Sequence, residues 1–293
     1  MKKFSIYFAV FAVLIIVAKS QFVLAQTDTS VAPETPAGVD SSRNWAGYVS
    51  QGGTYTAVSG TWTVPTPKAD GTGSDATWVG IGGVKSHDLI QAGTQSIVEN
   101  GQVIYEAWVE GLPGREHMLP VDVSGGDSIS VSIKETLPNV WHVSFKNNTN
   151  GQSYEHDFEY QSSHSSAEWI EELPTGIHVY VPLSDFGTAQ FQSARTTKDG
   201  QDISLSDSDA KPVRMINKNE EALATPSSIG SDGASFAVSR TSASSEAQVF
   251  ASAPDAQVAV VVRSTSGQYL GQFYVSPLQL RLLLSSGFLS LSS

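Results

Sequence analysis

Short apolar runs, punctuated every few residues by turn-forming clusters, leave this chain little choice of fold. The runs TYTAVSGTWTV (54–64), ATWVGIG (76–82), QVIYEAWVE (102–110), DSISVSIK (127–134), NVWHVSFKN (139–147), IHVYVPL (177–183) and ASFAVSR (234–240) alternate β-branched and aromatic residues with polar ones. Between them stand KADGTGSD, SGGDS, NNTNGQ and TKDGQD. Their Gly, Asn and Asp residues supply the backbone angles of tight turns. Regular short strands with such punctuation imply an all-β sandwich or barrel. The one helical expectation is a turn or two within KNEEALA (218–224).

The N-terminus reads as an export signal. Lys2 and Lys3 precede an apolar run over 4–18, and small residues follow. Lys19 cuts the run below the ~20 residues that span a bilayer. Cleavage fits after Ser20 or after Ala25, and Ala25 is the expected site. The expected divisions are a signal peptide at 1–25, a polar linker or short pro-segment at 26–41, a sandwich at 42–241 and a C-terminal extension at 242–293. Within the extension, AQVAVVVRS (256–264) and QYLGQFYVS (268–276) form a candidate hairpin. The protein is therefore expected outside the cytoplasm, extracellular or periplasmic, with no membrane attachment after cleavage.

Composition removes several classes of function. The chain has no cysteine, which excludes disulfides, thiol nucleophiles and thiolate metal sites. Loss of residues 1–25 leaves 14 basic against 29 acidic side chains, a net charge of −15. Nucleic acid and anionic lipid are poor partners for such a surface. In acid its carboxylates neutralise and few cations remain to repel one another. HExxH, GxSxG, DTG and DSG are all absent. His87, His117, His142, His156, His164 and His178 lack ligand spacing, so no metal or organic cofactor is expected. His87 and Asp88 read as turn residues, and Asn147-Asn148-Thr149 is a glycosylation sequon.

Polar groups set inside apolar strands are the informative exceptions. Gln91 sits in DLIQAGT, Glu110 closes YEAWVE, and SSAEWIEELP (165–174) carries Glu168, Glu171 and Glu172. In a strand, Glu168, Ile170 and Glu172 share one face, and Trp169, Glu171 and Leu173 share the other. Taken alone, this could be an acidic edge strand. Together with NWAGYV (44–49) and VSGTWTVP (58–65), however, these stretches resemble, in order and spacing, the glutamic peptidases or eqolisins, secreted acid endopeptidases. The resemblance covers roughly 42–240. It implies a concanavalin-like sandwich of two antiparallel sheets, with Gln91 and Glu172 as the catalytic pair. It implies that Trp45, Trp108 and Glu110 line the substrate cleft and that Glu168 supports Glu172. Glu171 is then expected to face solvent. For Trp78, core packing is a better expectation than substrate contact, and Trp62 and Trp141 have only a core or surface reading.

The chain departs from the fungal pattern. Aspartates of that pattern are replaced here by Gly82, Val84 and Gln95, and its cysteines are missing. These changes bear on the tuning of Glu172 and the orientation of Gln91, and they leave both side chains in place. A carboxylate that takes a proton from water and returns it to the leaving nitrogen, beside an amide that donates to an oxyanion, suffices for peptide hydrolysis. An unperturbed glutamate titrates near ~4.3, so an acidic optimum is expected. The expected partners are polypeptide substrates, met by a monomer. The rival reading is a carbohydrate-binding or glycan-cleaving sandwich using Glu110 and Glu172. The E-x-D-x-x-E pattern of sandwich glucanases is absent, and that reading leaves Gln91 without a purpose.

Overall fold

A computed structural model describes residues 41–174 and 182–241 in full, with the backbone of three strands outside them. The signal peptide apart from those strands, the linker up to residue 40, His178 with most of its expected strand, and the final apolar stretch lie outside the described residues. The chain divides into two compact units. In the smaller, Val258–Arg263 pairs antiparallel with both Tyr269–Val275 and Phe22–Leu24. Cleavage after Ser20 would leave that third strand in the mature chain, and cleavage after Ala25 would remove it.

The larger unit is built on antiparallel strands. In chain order they are β1 (Trp45–Gln51), β2 (Tyr55–Thr63), β3 (Gly73–Gly82), β4 (Leu89–Glu99), β5 (Gln102–Leu112), β6 (Ser128–Leu137) and β7 (Val140–Asn147). There follow β8 (Ser153–Glu159), β9 (Ser166–Glu172), β10 (Thr188–Lys198), β11 (Lys211–Ile216), β12 (Ala222–Pro226) and β13 (Phe236–Arg240). Hydrogen bonding runs β8-β7-β6-β2-β10-β13-β12-β11 and then β1-β9-β3-β4-β5. Strand β11 joins the two series: Lys211–Val213 pair with β1, whereas Met215 and Ile216 pair with β12. There is no α-helix among the described residues. The helical turn expected at 218–224 is a hairpin turn leading into β12, because Asn217 caps it with side-chain bonds to the Asn219 and Glu221 amides.

The two series face each other across a core rich in large side chains. Trp62, Trp141, Trp169, Tyr55, Phe145 and Phe191 are all fully buried there. Two indoles tie the layers together. Trp62 on β2 donates to Thr94 Oγ1 on β4 (3.0 Å), and Trp169 on β9 donates to the Ser59 carbonyl on β2 (2.8 Å). Each satisfies a buried N–H that would otherwise be costly. The sequon asparagine is equally committed. Asn147 is wholly buried, and its amide donates to the Asp122 carbonyl and the Asp127 carboxylate, so a glycan cannot be attached to the folded chain.

Glu171 corrects the sequence expectation. It points into this core, not to solvent, and is 0 % exposed. Thr77 Oγ1 donates to it at 2.6 Å. Nearby Asp75, also buried, accepts from Ser96 Oγ (3.1 Å) and from Ser184 Oγ. Burial, opposed by those serine hydroxyls, pushes Asp75 up to about 7. Burial, then the Asp75 charge, pushes Glu171 well above the usual carboxylate range. Groups whose folded pKa is raised contribute fully below their unfolded values near ~4 and cost stability as pH rises through the folded ones. Urea unfolding followed by tryptophan fluorescence should therefore show greatest stability in acid and a decline towards pH 7, and Asp75→Asn should flatten the decline. Stability that rose towards neutrality would contradict this.

Candidate active site

The outer face of the β1-β9-β3-β4-β5 sheet gathers the polar exceptions of the sequence. Register sets them in rows. Val49, Glu168, Gly80, Gln91 and Glu110 form the first; Gly47, Ile170, Trp78, Gly93 and Trp108 the second; Trp45, Glu172, Ala76, Gln95 and Glu106 the third. Rows lie ~7 Å apart along the strands and columns ~5 Å apart across them. A second apolar cluster, including Trp45, Val49, Trp78, Leu89, Trp108, Leu112 and Ile170, packs on this face. Glycine is required where the indoles crowd together. A Cβ on Gly93, between Trp78 and Trp108, would lie 2.3 Å from the Thr77 carbonyl and 2.5 Å from Trp78 Cβ.

Glu172 is held at both oxygens. Trp78 Nε1 donates to Oε2 at 2.7 Å and Asn44 Nδ2 to Oε1 at 3.1 Å. The Trp78 indole then crosses its row towards the first. Its Cζ3 would be 2.9 Å from a Cβ at Gly80, the residue paired with Gln91. Glu172 thus stands at one end of the indole and Gly80, the strand partner of Gln91, at the other. Trp78, expected from sequence only to pack, supplies that link, and Trp45 meets it edge-on at 5.0 Å between centroids. Asn44 was also missed as a site residue, although it opens the NWAGYV stretch beside Trp45.

Gln91 is oriented by Glu110. The carboxylate, an acceptor, draws Nε2 to Glu110 Oε2 at 2.7 Å and turns Oε1 the other way. Gln95 and Glu106 repeat the arrangement in the third row at 2.8 Å. Gln91 Oε1 and the indole N–H of Trp108 are buried without a hydrogen bond inside the protein, and the Trp45 N–H makes none of good geometry but lies near enough to Glu172 to help lower its pKa. Such buried groups are rarely left without a partner, and their clustering on one face sets it apart from the rest of the core. Glu168 shares this face, but the structure does not bring it against Glu172, from which Ile170 and the second row separate it. Burial pushes Glu172 up to about 8; the Trp78 hydrogen bond opposes the rise and the Glu110 charge adds to it. No group of three or more metal-ligating side chains is assembled among the described residues.

The model of the Peptidase A4 family matches residues 43–239, the span of the larger unit. The chain belongs to that family of glutamic peptidases. Aspergillopepsin-2 of Aspergillus niger is 31 % identical over 201 residues, covering 59 % of this chain and 71 % of its own. Scytalidopepsin B of Scytalidium lignicola is 29 % identical over 189 residues, covering 60 % and 72 %. The structure of scytalido-glutamic peptidase with a transition-state analog inhibitor superposes with a TM-score of 0.61 at 25 % identity, covering 68 % of this chain and 98 % of that one. Aspergilloglutamic peptidase from Aspergillus niger gives 0.52 at 29 % identity, covering 58 % and 99 %. This glutamic endopeptidase therefore has the all-β sandwich of the eqolisins.

The two influences on Glu172 have opposite signs, which makes them separable. Glu110→Gln should move the acid limb of the pH–rate profile to lower pH, and Trp78→Phe should move it to higher pH. Limbs that stayed in place in both variants would detach Glu172 from the rate.

Proposed function

We propose that the peptidase hydrolyses polypeptides with Glu172 and Gln91 as its working pair. The observation that carries this reading is a doubly anchored carboxylate at one end of the Trp78 indole, with the other end against Gly80, the strand partner of the oriented Gln91 amide. Ionised Glu172 takes a proton from water as the water oxygen bonds to the scissile carbonyl carbon. The second amide hydrogen of Gln91 Nε2, the one not given to Glu110, donates to the oxyanion that forms. Protonated Glu172 then returns its proton to the leaving nitrogen as the C–N bond breaks. Trp45 and Trp108 present apolar edges and N–H donors to the substrate chain.

With Glu172 raised to about 8, the ionised base grows in towards neutrality, while ionisation of the interior acids weakens the fold over the same range, so the optimum is displaced from strong acid towards neutral pH. The basic-then-apolar start supports secretion, and no helix among the described residues is long and apolar enough to cross a membrane.

The test is digestion of an unfolded protein substrate from acid to neutral pH. Gln91→Ala should lower kcat about a hundredfold, the usual consequence of losing an oxyanion donor. Glu172→Gln should abolish cleavage, with both variants folded by circular dichroism. Full activity in either folded variant would overturn the assignment.

A further inference from the structure

Glu168 has no part in the chemistry described so far, yet it is the most demanding buried group of this face. It is 0 % exposed, and its carboxyl oxygens make no hydrogen bond of good geometry within the protein, the Ser166 hydroxyl lying near enough only to lower its pKa. Ser166, two residues earlier on the same face, is also 0 % exposed with an unbonded hydroxyl. Across the row stands Gln91, 5 % exposed, whose Oε1 is likewise unbonded. Between Glu168 and Gln91 is Gly80, which puts no side chain in the way. The Trp78 and Leu89 side chains close over it, each with an atom 2.9 Å from where a Cβ would be.

Four polar atoms on adjoining positions are therefore short of partners, the protein supplying no more than the loose contact between Ser166 and Glu168. Buried polar groups are almost always satisfied, and ordered water is the usual agent where side chains fall short. The charge state fits this role. Burial holds the Glu168 carboxyl well above the usual range, the nearby Ser166 hydroxyl eases the rise, and the Asp88 charge adds to it. Tyr55, behind the sheet, is the other titratable group that feels Glu168. A neutral carboxyl is both donor and acceptor, as a water link requires.

We propose that Glu168 is a positioning residue which, with Ser166, holds ordered water beside Gly80 and through it fixes Gln91, with Oε1 inward and Nε2 towards Glu110 and the substrate. The amide is then gripped at both ends. The inference rests on Gln91 as the oxyanion donor, and it assigns Glu168 no proton transfer to substrate.

Glu168→Gln retains a donor and an acceptor. It should keep kcat within about fivefold of the wild type, the scale of one altered hydrogen bond, with an unmoved pH profile. Glu168→Leu removes the grip. It should lose kcat on the order of a hundredfold, the effect of misplacing a catalytic group by about an ångström, while KM stays within about twofold. Inactivity of Glu168→Gln, or full kcat in Glu168→Leu, would overturn the proposal. A high-resolution crystal structure of the wild type gives a reading independent of activity and of whether the leucine variant folds. Water within hydrogen-bond distance of both Glu168 and Gln91 Oε1 is expected, and a dry contact there would refute the proposal even if the catalytic pair is right.

Discussion

Everything at the site depends on the register of β9 between β1 and β3. Because side chains alternate across a strand, that register sends Glu168, Ile170 and Glu172 outward and Trp169 and Glu171 inward. A slip of one residue would bury Glu172 in the core and turn the Trp169 indole to the other face. The register is secured from inside. Trp169 reaches the Ser59 carbonyl on the opposite layer, and Glu171 accepts from Thr77 on the neighbouring strand. Bonds in the core thus determine which carboxylates of β9 lie on the outer face.

Carboxyl groups are handled in two ways. Asp75, Glu168 and Glu171 are fully removed from water and held above their ordinary titration range, so they are accommodated most cheaply as neutral groups. Glu172 is raised as well, up to about 8, but its donors are the Trp78 indole and the Asn44 amide, which oppose the rise that burial causes. The first three favour an acidic medium for the fold, and in the proposed mechanism the fourth limits activity at low pH. The scarcity of Lys and Arg fits the same surroundings, since a chain with few cations gathers little self-repulsion when its carboxylates are neutral.

Much of this was legible in the sequence, for physical reasons. Period-two alternation and turn clusters reported the strands directly, and the order of the motifs around Gln91, Glu110 and Glu172 carried the family. What local pattern could not report was partnership across strands. Trp78 looked like any buried indole until the pairing of β3 with β9 put its N–H on Glu172. Glu171 looked like a surface acid because nothing near it in sequence announced Thr77 and Asp75 as company. The sequon at Asn147 matched a local rule that its buried amide makes irrelevant. KNEEALA has helical composition, but the Asn217 side chain closes a turn and strand pairing takes the rest.

The account's central claim is that the outer face of the β1-β9-β3-β4-β5 sheet is where the tetrahedral species forms. A crystal structure of the peptidase with a peptide-based transition-state analogue tests it most directly. The analogue's tetrahedral oxygens should lie within hydrogen-bond distance of Gln91 Nε2 and of the Glu172 carboxyl, with its main chain along the Trp45 and Trp108 indoles. An analogue seated on another face, or bound here with Glu172 out of reach, would contradict the account.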